Sequence, residues 1–120
     1  MNTIKNGEST QTESTDSGDE VTSIYRPDDI NIAFDNGDTS LALSIIDELV
    51  EMKMANGMDE KKAKSSLRSS MTSYWKPLYK QAYASGNTAE MQRIKQILYK
   101  SGLYGSATEV IKDVNSWLKN

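Results

Sequence analysis

The sequence predicts an all-α fold of about six helices, arranged in two tandem helical units behind a disordered N-terminal tail. Apolar residues recur at the 3.6-residue period of a helix, and no stretch alternates convincingly with the period of a strand. In addition, one pattern of Pro and Gly punctuation occurs twice in the chain. We expect a tail over 1–24 and a helical domain over 25–120, made of similar units at about 25–74 and 75–120. The two units would form a short α-solenoid-like stack or a compact bundle.

The predicted tail is poor in apolar residues. Residues 1–24 consist mainly of Ser, Thr, Asn, Gln, Gly and acidic residues, and their large apolar side chains are Met1, Ile4, Val21 and Ile24. Such a segment cannot bury enough apolar area to offset the entropy lost on ordering, which is the reason for predicting disorder.

The internal repeat joins residues 33–39, A-F-D-N-G-D-T, to residues 82–88, A-Y-A-S-G-N-T, which follow 49 positions later. Gly37 and Gly86 suit the left-handed position that ends a helix. The polar residues after them, Asp38 and Asn87, suit the N-cap of the next helix. Upstream, Tyr25-Arg26-Pro27 parallels Trp75-Lys76-Pro77.

Helical spacing and punctuation predict each element in turn. The first helix starts at Pro27 and its copy at Pro77, because proline suits a first helical turn. A third helix over 59–75 is expected to end or kink near Lys76, since the residue before a proline disfavours α geometry. The other predicted helices cover 39–55, 88–101 and 107–119, with Gly57 and Gly102 as stop signals. The predicted apolar stripes are Ile30, Ala33 and Phe34; Ala42, Ile45, Ile46, Leu49 and Val50; Ala63, Leu67, Met71, Tyr74 and Trp75; Leu78, Tyr79, Ala82 and Tyr83; Met91, Ile94, Ile97 and Leu98; Val110, Ile111, Val114, Trp117 and Leu118.

The composition argues against a conventional enzyme site. The chain has no Cys and no His, so thiol chemistry, thiolate zinc sites and the commonest general base are excluded. Paired carboxylates occur, but most fall at predicted helix starts, where they favour the helix dipole. We therefore predict no catalytic, cofactor or metal site and no small-molecule substrate. Without an apolar run of about 18 residues or a signal-like N-terminus, we expect no membrane contact and an intracellular location.

The charges are strongly segregated along the chain. Residues 25–60 carry a net charge of −7, whereas residues 61–100 carry +8. This contrast indicates either an internal pairing of the two segments or a surface for a partner. The candidate surface is basic, and its residues are Lys61, Lys64, Arg68, Lys76, Lys80, Arg93, Lys95 and Lys100.

Aromatic residues are interleaved with these cations, and two interpretations remain open. Cations beside stacking aromatics are typical of nucleic-acid binding. However, Tyr74, Trp75, Tyr79 and Tyr83 also lie on or near predicted apolar faces. Burial in the core is therefore the favoured interpretation of these side chains.

The second half of the chain resembles a short helical domain at the C-terminus of uncharacterised or virion-associated proteins of phages and prophages. The resembling segments are A-K-S-S-L-R-S-S-M-T-S-Y-W-K-P-L-Y from Ala63, G-N-T-A-E-M-Q-R-I-K-Q-I-L-Y from Gly86, G-L-Y-G from Gly102, and the closing N-S-W-L-K. The resemblance implies a structural or accessory role in the host cytoplasm or in a virion, and it brings no catalytic residues with it. It covers about half of the chain, and its motifs are mainly helix punctuation.

Two hypotheses follow from these observations. The first is a non-enzymatic interaction protein that docks through its basic, aromatic-rich second unit. Its partner would be another protein or the acidic first unit of a neighbouring copy, in a head-to-tail assembly. The second is a nucleic-acid-binding accessory protein that uses the same basic surface.

Overall fold

A computed structural model describes residues 22–119, which form five α-helices. The helices are α1 (Pro27–Asp35), α2 (Thr39–Ala55), α3 (Glu60–Ala84), α4 (Thr88–Lys100) and α5 (Ala107–Trp117). Residues 22–26 precede α1 without regular secondary structure, and the rest of the predicted tail lies outside the described residues. The prediction of an all-α fold is confirmed, and no strand occurs among residues 22–119.

The two repeated turns have nearly the same local geometry. Gly37 and Gly86 adopt φ angles of 79° and 72°, in the left-handed region where glycine avoids the strain of a Cβ. Asp38 accepts a hydrogen bond from the Leu41 amide at 3.1 Å, and Asn87 accepts one from the Glu90 amide at 3.1 Å. Each repeated turn therefore ends one helix and caps the next as the sequence predicts.

The prediction of six helices is wrong, because α3 continues through Pro77 where a boundary was expected. The two expected units accordingly share one 25-residue helix instead of meeting at residues 74 and 75. A proline inside a helix removes one backbone hydrogen bond and crowds the preceding turn. Here Pro77 is exposed, while Trp75 and Tyr79 on either side of it are 0% and 2% exposed. Burial of these two large rings stabilises the continuous helix against the proline penalty.

Helix α3 is the element on which the rest of the fold packs. Its buried residues Ala63, Leu67, Met71, Trp75 and Tyr79 recur at every fourth position. Because a turn takes 3.6 residues, this row winds around the helix and offers successive stretches to different neighbours. As a result, α1, α2, α4 and α5 all contact α3, while α1 also packs on α2 and α4 on α5.

Two side-chain contacts fix the second half of α3 in the core. The indole nitrogen of Trp75 donates a hydrogen bond to the Asn31 side-chain oxygen of α1 at 3.0 Å. The rings of Tyr79 and Trp117 meet edge to face with centroids 5.8 Å apart, which joins α3 to α5. The core therefore links α1, α3 and α5 through aromatic residues of the basic segment.

Most of the predicted apolar stripes are buried, but three of their members lie at the surface. Tyr74, Tyr83 and Ile111 are 39%, 57% and 50% exposed. Conversely, Leu103 and Tyr104 are buried although they lie between helices, outside every predicted stripe. These two residues form part of the candidate site.

Candidate functional site

Three of the eight predicted basic residues come together in a groove over the first half of α3. Lys61, Lys64 and Arg68 fall at positions i, i+3 and i+7, so they lie on one side of the helix. The opposite wall is the segment between α4 and α5. The groove encloses about 440 Å³, and we call it the basic groove; it is lined by Lys61, Lys64, Ser65, Arg68, Gly102, Leu103, Tyr104 and Gly105.

The wall of the basic groove is held in place by a buried serine. The Ser101 hydroxyl donates to the Leu98 carbonyl at 2.6 Å and accepts from the Leu103 amide at 3.2 Å. Gly102 between them takes the left-handed conformation with φ 72°. These constraints place Leu103, which is 7% exposed, against the core and leave its edge in the groove.

Arg68 and Tyr104 line the basic groove and contact each other. The guanidinium lies over the tyrosine ring, 4.8 Å from its centroid, in a cation–π contact. The Tyr104 hydroxyl donates to the Asp113 carboxylate at 2.5 Å, which connects this wall to α5. Burial raises the pKa of Tyr104, and the hydrogen bond to Asp113 raises it further, so the phenol stays neutral and donating.

A second groove with acidic rims adjoins the first. It lies between α2 and residues 101–103, and it also encloses about 440 Å³. Its acidic residues are Asp47, Glu51 and Glu60, and its apolar residues are Ile46, Val50, Met54 and Leu103; we call it the acidic groove. Lys64, Gly102 and Leu103 line both grooves, and Lys64 is paired with Glu60 at 3.2 Å. The acidic and basic segments of the sequence therefore meet on one surface, at Lys64.

Arg93 belongs to a different environment from the basic groove. It makes two hydrogen bonds to the Glu90 carboxylate, at 2.7 and 2.9 Å, and one to Asp35 of α1 at 3.1 Å. Its guanidinium also lies 5.6 Å from the centroid of the Trp75 ring. The hydrogen bond from Arg93 is the main cause that lowers the pKa of Glu90. Because all these contacts are made within the chain, Arg93 links α4 to α1 and α3, and its guanidinium is occupied by them.

The remaining four predicted cations do not line the basic groove. Lys76 and Lys80 are partly buried on the second half of α3, and Lys95 and Lys100 are on α4. Exposed tyrosines accompany both pairs, since Tyr83 is 57% and Tyr99 53% exposed. The eight residues therefore lie in different places. Three line the basic groove, Arg93 pairs with Glu90 and Asp35, and four lie on the second half of α3 and on α4.

Two residues that shape the site, Leu103 and Met54, are absent from the predicted stripes and from the predicted surface. Leu103 has no helical partner in sequence, so periodicity cannot assign it to a face. Met54 of α2 lines the acidic groove and is 43% exposed, and it lies outside the apolar stripe of its own helix. The available signal for Leu103 was the G-L-Y-G run, in which two glycines enclose two large side chains.

Comparison of the chain with protein-family models, with curated proteins and with solved structures gives no match. Within residues 22–119, no group of three or more acidic side chains is arranged to hold a metal ion. Over the same residues, none of the helices combines the length and the apolar character that crossing a bilayer requires. Inferences about function therefore depend on the grooves and their charges.

Proposed function

We propose that this chain is a non-enzymatic helical interaction protein that docks a protein partner through the basic groove. The observation that carries the proposal concerns the ion pairing of Lys61 and Arg68. Within residues 22–119, neither cation has a carboxylate at ion-pair distance, whereas Lys64 and Arg93 do. Exposed Lys61 and half-buried Arg68 beside the groove-lining edge of Leu103 offer charge and a small apolar contact to a partner. The absence of His and Cys from the sequence supports a binding role over catalysis.

The groove favours a partner segment that carries carboxylates next to an apolar side chain. Arg68 is held in position by the Tyr104 ring, so less entropy is lost when it binds a carboxylate than for a free side chain. Lys61 is exposed and adds a second cation about two turns earlier on α3. Leu103, between them and the acidic groove, offers an apolar contact to the same segment.

The proposal can be tested with a fluorescein-labelled peptide of alternating Glu and Leu residues, measured by fluorescence polarisation. We expect salt-dependent binding, and we expect the double variant K61Q/R68Q to bind at least about tenfold more weakly. The matched control K95Q/K100Q removes two positive charges from α4 and leaves the groove intact. Equal weakening by both variants would show that only net charge matters and would contradict docking at the groove.

We also propose a phage or mobile-element origin, with action in the host cytoplasm or in the virion. The support for this part is the sequence resemblance to phage C-terminal helical domains. Mass spectrometry of purified particles and of the infected-cell cytoplasm tests it. A chain found in uninfected cells without any prophage would contradict it.

Nucleic-acid binding is the second candidate, and one observation favours it. Lys76, Lys80 and Tyr83 stand at i, i+4 and i+7 of α3, and the tyrosine ring is more than half exposed. A ring beside cations suits base stacking and phosphate contact. Polarisation of a labelled single-stranded oligonucleotide at ~50 mM salt is the test, because phosphate contacts are strongest at low salt. A Y83A variant that binds as well as the wild type would argue against this function.

A further inference from the structure

The basic and acidic grooves together make a surface that is complementary to itself. One end carries Asp47 and Glu51, the other carries Lys61 and Arg68, and the two ends are joined by Leu103 and the Lys64–Glu60 pair. A surface with opposite charges at its two ends matches its own copy after a two-fold rotation. Each acidic end then faces the basic end of the partner.

We propose that the occupant of these joined grooves is a second copy of this chain, bound through a closed two-fold contact. The inference rests on the proposed function, because it uses the same groove and names the partner. It differs from a head-to-tail chain, since the same surface serves both copies and the assembly stops at two.

The middle of the surface suits the position of the two-fold axis. Like charges that meet at an axis would repel, but Lys64 is already neutralised by Glu60 at 3.2 Å. Met54, at 43% exposure, supplies most of the exposed apolar area beside that pair, and Val50 and Leu103, each 7% exposed, add only their edges. A contact with an apolar centre and charged ends has the composition of known interfaces.

The test uses the full chain, light scattering coupled to size exclusion, and a charge exchange between the two ends. At ~50 mM salt the wild type should have the mass of a dimer, and high salt should shift it toward monomer. K61E/R68E makes the surface acidic at both ends, and D47K/E51K makes it basic at both ends. Each variant alone should be monomeric, whereas an equimolar mixture should recover the dimer mass.

Three results would overturn the inference. They are a monomeric wild type at high concentration and low salt, a mass that rises beyond the dimer with concentration, and a mixture that remains monomeric. Circular dichroism checks that the variants are folded. If K61E/R68E loses helicity because Arg68 leaves Tyr104, K61E/S65E replaces it, since Lys61 and Ser65 are both exposed in the basic groove. If the wild type does not self-associate but still binds the peptide of alternating Glu and Leu residues, the dimer is rejected and the proposed function is retained.

Discussion

The hydrogen bond between Asn31 and Trp75 is the polar contact in the core whose removal we expect to have the clearest effect. Asn31 is 1% exposed, and its oxygen accepts from the indole nitrogen of Trp75, which is 0% exposed. Among residues 22–119, the Asn31 side-chain nitrogen has no hydrogen-bond partner. Removal of either residue alone leaves a buried polar group unpaired, whereas removal of both leaves none. The two substitutions should therefore be strongly coupled.

The magnitudes follow from the cost of a buried, unpaired polar group. N31L keeps a similar volume but leaves the indole N–H without an acceptor, which costs about 2 kcal/mol and is offset in part because the unpaired Asn31 nitrogen is removed as well. W75F leaves the Asn31 amide without its donor, at a similar cost, and adds about 1 kcal/mol for the smaller ring. The double variant N31L/W75F should lose mainly the volume term, with the same partial offset from removal of the unpaired Asn31 nitrogen. We expect it to be more stable than the sum of the single variants by about 4 kcal/mol.

Urea unfolding followed by far-UV circular dichroism measures the three free energies of unfolding without relying on tryptophan fluorescence. N115L is the control, because Asn115 is exposed on α5 and its substitution should change stability by less than about 0.5 kcal/mol. Additivity of N31L and W75F to within about 0.5 kcal/mol would refute the reasoning, since it would mean that the two polar groups do not depend on each other.

Three further predictions concern the turns, the proline and pH. G86A should destabilise the fold by about 1 kcal/mol, because φ is 72° at this position. The control G105A should have little effect, because the φ angle of Gly105 is not positive. Thermal melts of the two variants compare their stabilities. P77A should raise the free energy of unfolding by about 1–2 kcal/mol in urea titrations, since alanine restores a helical hydrogen bond at an exposed site. The pKa of Glu90 is lowered in the fold, so its pairing with Arg93 stabilises above the ordinary pKa of glutamate and is lost as pH falls through the lowered value. R93M should therefore cost less stability at pH ~3 than at pH 7 in urea titrations, and an unchanged cost would contradict this.

The helix boundaries at the glycines could be predicted from the sequence because local interactions set them. A left-handed glycine and a capping side chain depend on residues within one turn of each other. Thus Gly37, Gly86, Asp38 and Asn87 adopt the expected conformations and hydrogen bonds. Ser106 likewise accepts from the Glu109 amide, at 3.3 Å, at the start of α5.

The features that local patterns could not predict depend on tertiary contacts. Pro77 is a helix breaker by propensity, but the burial of Trp75 and Tyr79 around it decides the outcome. Asn31 is polar and lies beside an apolar stripe, and its burial depends on a donor 44 residues away. No spacing rule within α1 contains that information.

The residue types of the candidate site could be predicted from the sequence, but not which of the predicted cations form it. From the sequence alone, Arg68 and Arg93 are predicted to belong to the same basic surface. In the fold, Arg93 contacts Asp35 at 3.1 Å and Glu90 at 2.7 Å, while Arg68 contacts the ring of Tyr104. Which arginine remains available for a partner depends on the carboxylates that the packing of α1 and α4 brings close. The pattern of charge along the chain cannot distinguish these two environments.

The arrangement of the charged segments also explains how a chain with modest net charge can carry a strong local field. The formal net charge is −3, so the molecule as a whole carries only a weak long-range field. The acidic rim at Asp47 and Glu51 and the cations Lys61 and Arg68 nevertheless occupy adjoining grooves. Fields from such opposed groups largely cancel at distances beyond a Debye length, which is about 10 Å at 0.1 M salt, but they persist at contact. If a partner docks here as proposed, such a surface selects it by the local register of its charges and favours an occupant that presents both signs in the reverse order.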